Sequence, residues 1–264
     1  MTDFSVREYR KPDIPALTAL WHEVFGDSEE FVSGFLRLLP EMGTGAVAEL
    51  EGTVVGAAYA ITGLMLGGTP VGYIYAVAVS ENARHRGIGE AVTQMARKLA
   101  IERGAGIVCT LPAEAGLYAW YERIIGTQHR LRRHVTELIC KPVCALYPLS
   151  AGEYMAKREN LLAGKPHLVP CNAAMEFEDV LCRTYGGGLF GGEHGICAVL
   201  RDGGTAYFHE LIADGRDMAE LAQSVGAHLG CETARFFTVS DAGEDYIASD
   251  VRLPKDCGFT FSFE

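Results

Sequence analysis

The sequence predicts an α/β (α+β) fold: a mixed, mostly antiparallel sheet flanked by helices, followed by a smaller domain of related order. Three observations predict it. Residues 71–90, VGYIYAVAVSENARHRGIGE, pass from an apolar β-branched and aromatic run, through a polar turn, into helical spacing. Upstream, two strand-like runs at 46–50 and 53–66 flank a Glu51-Gly52 turn, which makes antiparallel neighbours. In the second half the order strand, strand, helix, strand recurs over 196–201, 207–211, 216–229 and 232–239.

In chain order, residues 4–9 alternate and read as a first strand. Pro12 opens a helix whose apolar positions are Ile14, Leu17, Leu20, Trp21 and Val24-Phe25, and Gly26 stops it. Asp27-Ser28-Glu29-Glu30 resembles a capping box for a helix over 31–39, which residues 40–45, beginning with Pro40, are expected to break. Strands 46–50 and 53–66 follow, then a Gly67-Gly68-Thr69-Pro70 turn into the buried strand 71–79. From Gly87, Ile88, Ala91, Val92, Met95 and Leu99 form one helical face up to about Arg103, with Gly104 as the terminating residue. Residues 106–111 are a short strand, Pro112 begins another helix through Arg123, and a further strand precedes Cys140. The stretch from Cys140 to Pro148 reads as a linker, dividing the chain into domains 1–140 and 146–264. Beyond it, Ser150 and Glu153 cap a helix to about Ala163, and 175–185 is another helix. The glycines at 186–188 and 191–192 read as a connection, since no lysine or helix follows them. Residues 202–204 turn the hairpin, and 258–264 alternate as a final strand.

The junction at Gly87 has a chemical use. The first turn of a helix offers unpaired N–H groups and the positive end of its dipole. Gly87 and Gly89 let a bulky anion approach the backbone, and Arg84 and Arg86 add fixed charge. No Gly-Lys-Ser/Thr follows, so this is not a Walker loop, and the dinucleotide fingerprint lacks a glycine here. Arg84-His85-Arg86-Gly87-Ile88-Gly89 fits Arg/Gln-x-x-Gly-x-Gly/Ala. It resembles the acyl-CoA pyrophosphate loop of the GNAT superfamily of N-acyltransferases. The likeness extends over roughly residues 4–140: strand 73–79 resembles that superfamily's fourth strand, and 87–123 resemble the helix, strand and helix after it.

What the resemblance implies is a GNAT fold, with acetyl-CoA as co-substrate and no metal, and a second, degenerate GNAT-like domain over 146–264 lacking the anion loop. Val77, Ala78, Val79, Arg84, His85, Arg86, Gly87, Ile88, Gly89 and Glu90 would hold the cofactor, with a backbone N–H near 77–79 facing the oxyanion. Tyr121-Glu122-Arg123-Ile124 matches a family motif, although Ile125-Gly126 stands where Gly-Phe is usual, so the helix end is shifted or longer by one residue. The resemblance makes Tyr121 the general acid toward the departing thiolate; the residue reading alone leaves an amphipathic stripe with Leu117 and Tyr118. Glu114 lies where many relatives carry an asparagine and is the second catalytic candidate, or a helix N-terminal acid. Trp21, His22, Glu23 and Asp27 fall where relatives build the acceptor pocket, yet read as core, surface, surface and cap.

The acceptor implied is a small-molecule or peptide amine, and a homodimer is compatible with the family. The alternatives are a silent acyl-CoA-binding sensor and a partner-binding module in which the loop is only a turn. Composition narrows the field. The 264 residues are 48% apolar and carry a net charge of −11, with 13 basic and 16 acidic residues over 1–140. Neither half has the basic balance of a nucleic-acid or anionic-membrane binder. The cluster Arg123, Arg130, Arg132 and Arg133 reads as a solvated face rather than a site for the CoA 3′-phosphate. Residues 2–11 are polar and no long apolar run occurs, so a cytoplasmic location without a membrane span is expected. The eight cysteines contain no Cys-x-x-Cys pair; reduced, buried thiols are expected, and no zinc site.

Overall fold

The computed structural model describes residues 4–255, Cys257 and Gly258. The chain forms two compact units. The first comprises Met1–Arg130, Val169–Ala174 and Asp245–Leu253, and the second Leu131–Leu168, Met175–Glu244 and Pro254–Glu264.

The first unit has strands β1 (Phe4–Glu8), β2 (Gly43–Leu50), β3 (Thr53–Leu66), β4 (Thr69–Val79) and β5 (Ile107–Thr110). Helices α1 (Ile14–Phe25) and α2 (Glu29–Met42) precede β2; α3 (Ile88–Glu102) joins β4 to β5, and α4 (Leu117–Ile125) follows β5. β1 to β4 pair antiparallel in order, and β5 lies parallel to β4. Glu51 and Gly52 both take positive φ, 51° and 81°, the geometry whose twist suits a two-residue hairpin. One face of α3 buries Ile88, Val92, Ala96 and Leu99 in a core with Ala46, Ala58, Ile74 and Val108. At its base Gly56 is required: a Cβ there would stand 2.5 Å from Ile88 Cγ2.

Two local expectations are corrected here. Pro40 does not break α2, which continues to Met42. Leu38, Leu39 and Met42 are all buried, and that apolar face outweighs the hydrogen bond the proline omits. α4 begins at Leu117 rather than Pro112. Residues 113–116 are all exposed and form a turn, whereas Tyr118, Tyr121, Ile124 and Ile125 supply a buried helical face. Its lengthened end is confirmed: α4 runs through Ile125 and Gly126 terminates it at φ 76°.

The remaining elements are β6 (His129–Ile139), β7 (Tyr147–Pro148), α5 (Ala151–Leu161), β8 (Leu168–Pro170) and α6 (Asn172–Thr184). β9 (Gly188–Gly191), β10 (Ile196–Asp202), β11 (Thr205–Ile212), α7 (Gly215–His228), β12 (Thr233–Ser240) and β13 (Glu244–Ser249) complete the chain. β7, β9, β10 and β11 pair antiparallel in that order, and β12 lies parallel to β11. This is the order of β1, β2, β3, β4 and β5, with α5 and α6 standing for α1 and α2, and α7 for α3. The Ser150–Glu153 capping box forms as expected. The glycine run is a correction: it contains β9, not a connection. Gly187 lies so close to Val199 that a Cβ would collide with its carbonyl oxygen. Gly187 therefore serves close strand approach. β13 had no expectation; its residues Ala248 and Ser249 pair antiparallel with Thr110 and Cys109 of β5 within the first unit. The strand expected over 258–264 lies, beyond Gly258, outside the described residues. Among the described residues no helix is long and apolar enough to cross a membrane.

Candidate active site

The site begins as an interruption of the sheet. β4 and β5 pair only from Val71↔Ile107 to Ile74↔Thr110. Just beyond, β4 carries an extra residue against β3, since Tyr75 faces Tyr59 while Ala78 faces Ala57. Ala76 takes φ 47° at this bulge, a left-handed conformation that costs an L-residue about 1–2 kcal/mol. The strands part here, and Val77, Ala78 and Val79 lie past the end of the β4–β5 ladder. Thr110 closes the apex: its hydroxyl donates to the Ile74 carbonyl at 2.9 Å.

Tyr121 reaches this apex. It is buried in one cluster with Ile74, Ile88 and Val108, and Thr110 stands near enough to act on its hydroxyl. Burial pushes its phenol up to about 12. Trp120 packs edge-on against it, ring centroids 4.8 Å apart. Tyr118, one turn earlier, is committed elsewhere: its hydroxyl donates to the Tyr246 carbonyl at 2.7 Å, and the Arg130 guanidinium lies 4.6 Å over its ring. The α4 register therefore sets Tyr121, not Tyr118, at the parting of the strands. Thr110 gave no signal of its own in the sequence, being one threonine in an apolar strand.

The cradle follows β4. A 3-10 turn over Glu81–Ala83 leads into Arg84, His85 and Arg86, all exposed. His85 and Gly87 have φ 62° and 81°, and α3 starts with no side chain capping its N-terminus. Its first N–H groups thus keep the positive end of the helix dipole open to an anion. Ile88 anchors this end in the core, and the Arg84 Nε–H donates to the Val79 carbonyl at 3.3 Å. A Cβ on Gly89 would make only ordinary contact, 3.5 Å from Val79 and 3.9 Å from Trp120. Glu90 pairs with Arg123 at 3.1 Å. Arg130 and Arg133 pair with Asp245 and Glu244 at 3.7 and 2.7 Å, so these arginines have acidic partners.

On the other side of the sheet Trp21 is core, ringed by Phe25, Phe31, Phe35, Tyr59 and Tyr75. Asp27 is not the cap expected of it. Ser28 accepts from the Phe31 N–H, and Asp27 takes the Trp21 indole N–H at 2.7 Å. Exposed Glu23 accepts from the Ser80 hydroxyl and the Glu81 N–H, each at 2.9 Å. Those donors, the Glu81 N–H first, lower its pKa. Glu23 thereby fastens α1 to the start of the cradle. His22 is exposed, its Nδ1 3.0 Å from the Asp27 carbonyl oxygen. Glu114 is exposed in the turn before α4, and its carbonyl accepts from the Leu117 N–H.

Residues 8–127 match the acetyltransferase (GNAT) family. The chain carries a GNAT acetyltransferase domain, which holds both the parting strands and the cradle. Solved structures share the fold over nearly the whole chain. A GCN5-related N-acetyltransferase from Kribbella flavida is 15% identical, with 94% of this chain and 70% of that one covered and a TM-score of 0.64. One from Anabaena variabilis is 16% identical over 93% and 72%, TM-score 0.61. A Pyrococcus horikoshii protein of that fold is 16% identical over 100% and 93%, TM-score 0.66. No curated protein sequence matches the chain. The second unit repeats the GNAT order of strands but not the cradle: α7 begins with Asp214 at its cap and Asp217 in its first turn, which repel an anion.

Proposed function

We propose that the protein transfers an acetyl group from acetyl-CoA to an amine by direct attack. The observation that carries this is the burial of Tyr121 in one cluster with Ile74 of β4, Val108 of β5 and Ile88 at the uncapped start of α3, where the β4–β5 ladder ends. The α3 N–H groups at Ile88, Gly89 and Glu90, with the charges of Arg84 and Arg86, fit the diphosphate of the co-substrate. His85 and Gly87 turn the backbone into that shape. The acyl arm runs between β4 and β5, where backbone groups of residues 77–79 are past the ladder and one N–H stabilises the oxyanion. Holding thioester and amine together supplies the proximity term, and no covalent enzyme intermediate is needed. The amine attacks the carbonyl carbon, its nitrogen gives up a proton to solvent, the tetrahedral adduct collapses, and the C–S bond breaks. Tyr121 gives its proton to the leaving sulfur. Exposed Glu114 is the acid to test on the acceptor side, by Glu114→Gln. The acceptor is a small-molecule or peptide amine.

Thermal unfolding with and without acetyl-CoA tests the cradle, and thiol release across a panel of amines tests turnover. Binding should raise the melting temperature by mass action. Gly89→Val should remove that rise without harming the apo protein much, because the site has room for a Cβ but not for a branched side chain together with a diphosphate. A full shift in Gly89→Val overturns the cradle. A shift with no thiol release from any amine leaves a binding protein, not an enzyme.

A further inference from the structure

The second unit holds a buried cluster that acyl transfer does not use. Glu178 and Cys182 stand one turn apart on the same face of α6, and His209 comes from β11; all three have 0% exposure. A bulge makes His209 available. Val199 faces Phe208 and Ala198 faces Glu210, so His209 is the extra residue of β11, and it and Glu210 are both buried. Glu210 has its own partners, Arg158 at 3.0 Å and the Tyr154 hydroxyl at 2.8 Å. The three donor atoms of Glu178, Cys182 and His209 lie within 4.8 Å of one another. His209 Nδ1 is 2.9 Å and Cys182 Sγ 3.6 Å from the same oxygen, Glu178 Oε1. The other carboxylate oxygen, Oε2, is buried and accepts no hydrogen bond. A buried carboxylate that crowds two donors onto one oxygen and leaves the second without any calls for a missing partner.

We propose that Glu178, Cys182 and His209 bind one Zn²⁺ ion. The donor set of sulfur, imidazole and carboxylate suits zinc. Around tetrahedral zinc, such donors sit about 3.3–3.6 Å apart; Cys182 Sγ and Glu178 Oε1 stand at 3.6 Å, and the imidazole would draw back from its 2.9 Å contact with that oxygen. A bidentate Glu178 supplies the fourth donor atom and gives Oε2 its partner. Thiolate, carboxylate and neutral imidazole together balance the ion, which leaves the buried site without net charge. The thiol proton is released on binding. The site joins α6 to β11 inside the second unit, as a structural brace. It is independent of acyl transfer and runs against the expectation of no zinc drawn from cysteine spacing, which registers neighbours along the chain and misses a Cys–His pair 27 positions apart.

The test uses the full chain. Zinc in the protein as isolated should approach one equivalent. After chelator treatment, Co²⁺ should bind one equivalent, with a thiolate-to-metal charge-transfer band in the near ultraviolet. A hundredfold excess of Zn²⁺ over its Kd should raise the melting temperature by roughly 5–10 °C. Cys182→Ser should lose the band and His209→Gln the stoichiometric binding, while Cys140→Ser, outside the cluster, keeps both. Absence of zinc, band and stabilisation in the unaltered protein overturns the proposal and leaves a closed hydrogen-bonded pair of Glu178 and His209. A band that survives in Cys182→Ser overturns it too, by assigning the sulfur to another cysteine. Should either variant fail to fold, the metal content and cobalt spectrum of the unaltered chain decide.

Discussion

Tyr118 and Tyr121 share a face of α4, yet their hydroxyls keep different company. Tyr118 is bonded to the β13 backbone, and Tyr121 lies buried near Thr110 at the parting of the strands. Tyr121→Phe should therefore lower the single-turnover rate by about 10²–10⁴-fold while acetyl-CoA affinity barely moves. Tyr118→Phe should instead cost about 1 kcal/mol of stability through the lost bond to Tyr246, with the single-turnover rate retained. Exchanged phenotypes would make Tyr118 the acid. The raised pKa of Tyr121, about 12, adds a pH test. The phenol stays protonated through neutral and mildly alkaline pH, so an alkaline loss of rate centred below about pH 10 must belong to another group. For stability, the folded pKa lies above the ordinary tyrosine value of 10, so the contribution is whole below pH 10 and fades between 10 and about 12. The candidate residues were legible because their motifs are contiguous: Arg84 to Gly89 and Tyr121 to Ile124. Thr110 was not, because its importance comes from what stands across from it.

Among the elements, α2 departs most instructively from local rules. Pro40 leaves the Leu36 carbonyl without its helical donor, and the helix persists because Leu38, Leu39 and Met42 are buried. Pro40 itself is exposed. Pro40→Ala should restore the N–H and raise stability by about 1–2 kcal/mol, after allowing for the freer unfolded chain. A higher urea midpoint at unchanged slope is the expected result, and an unchanged midpoint would show that the first three turns carry the helix. β9 and β13 escaped notice for related reasons. Glycine at 186–188 and the acids Glu244 and Asp245 are poor strand formers. Partner strands β10 and β5 decide those segments. Long periodic elements such as α3 and β4 needed no such help.

At the scale of the molecule, the first unit is not complete at residue 140. It takes Asp245–Leu253, whose β13 residues pair with β5 and whose Asp250 accepts the buried Val108 N–H at 2.8 Å. A fragment of residues 1–140 should aggregate, because it leaves β5 with an open apolar edge. Within the full chain, Asp250→Ala should cost about 1–3 kcal/mol, the penalty of a buried donor left without its acceptor. Differential scanning calorimetry reads it. A soluble fragment that shifts with acetyl-CoA would show that β13 is dispensable.

By itself the sequence determined the order of the main elements, the GNAT character of the first half and the composition of the anion cradle. Those depend on local spacing: apolar period, capping residues, and two glycines in a basic turn at a helix start. The tertiary structure alone decided where β4 and β5 part, which tyrosine of α4 meets that place, and which late segments complete the first unit. It alone brought Glu178, Cys182 and His209 together. Each of these is a pairing between residues distant in the chain, fixed by bulges, helix register and strand partners rather than by any residue's own preference.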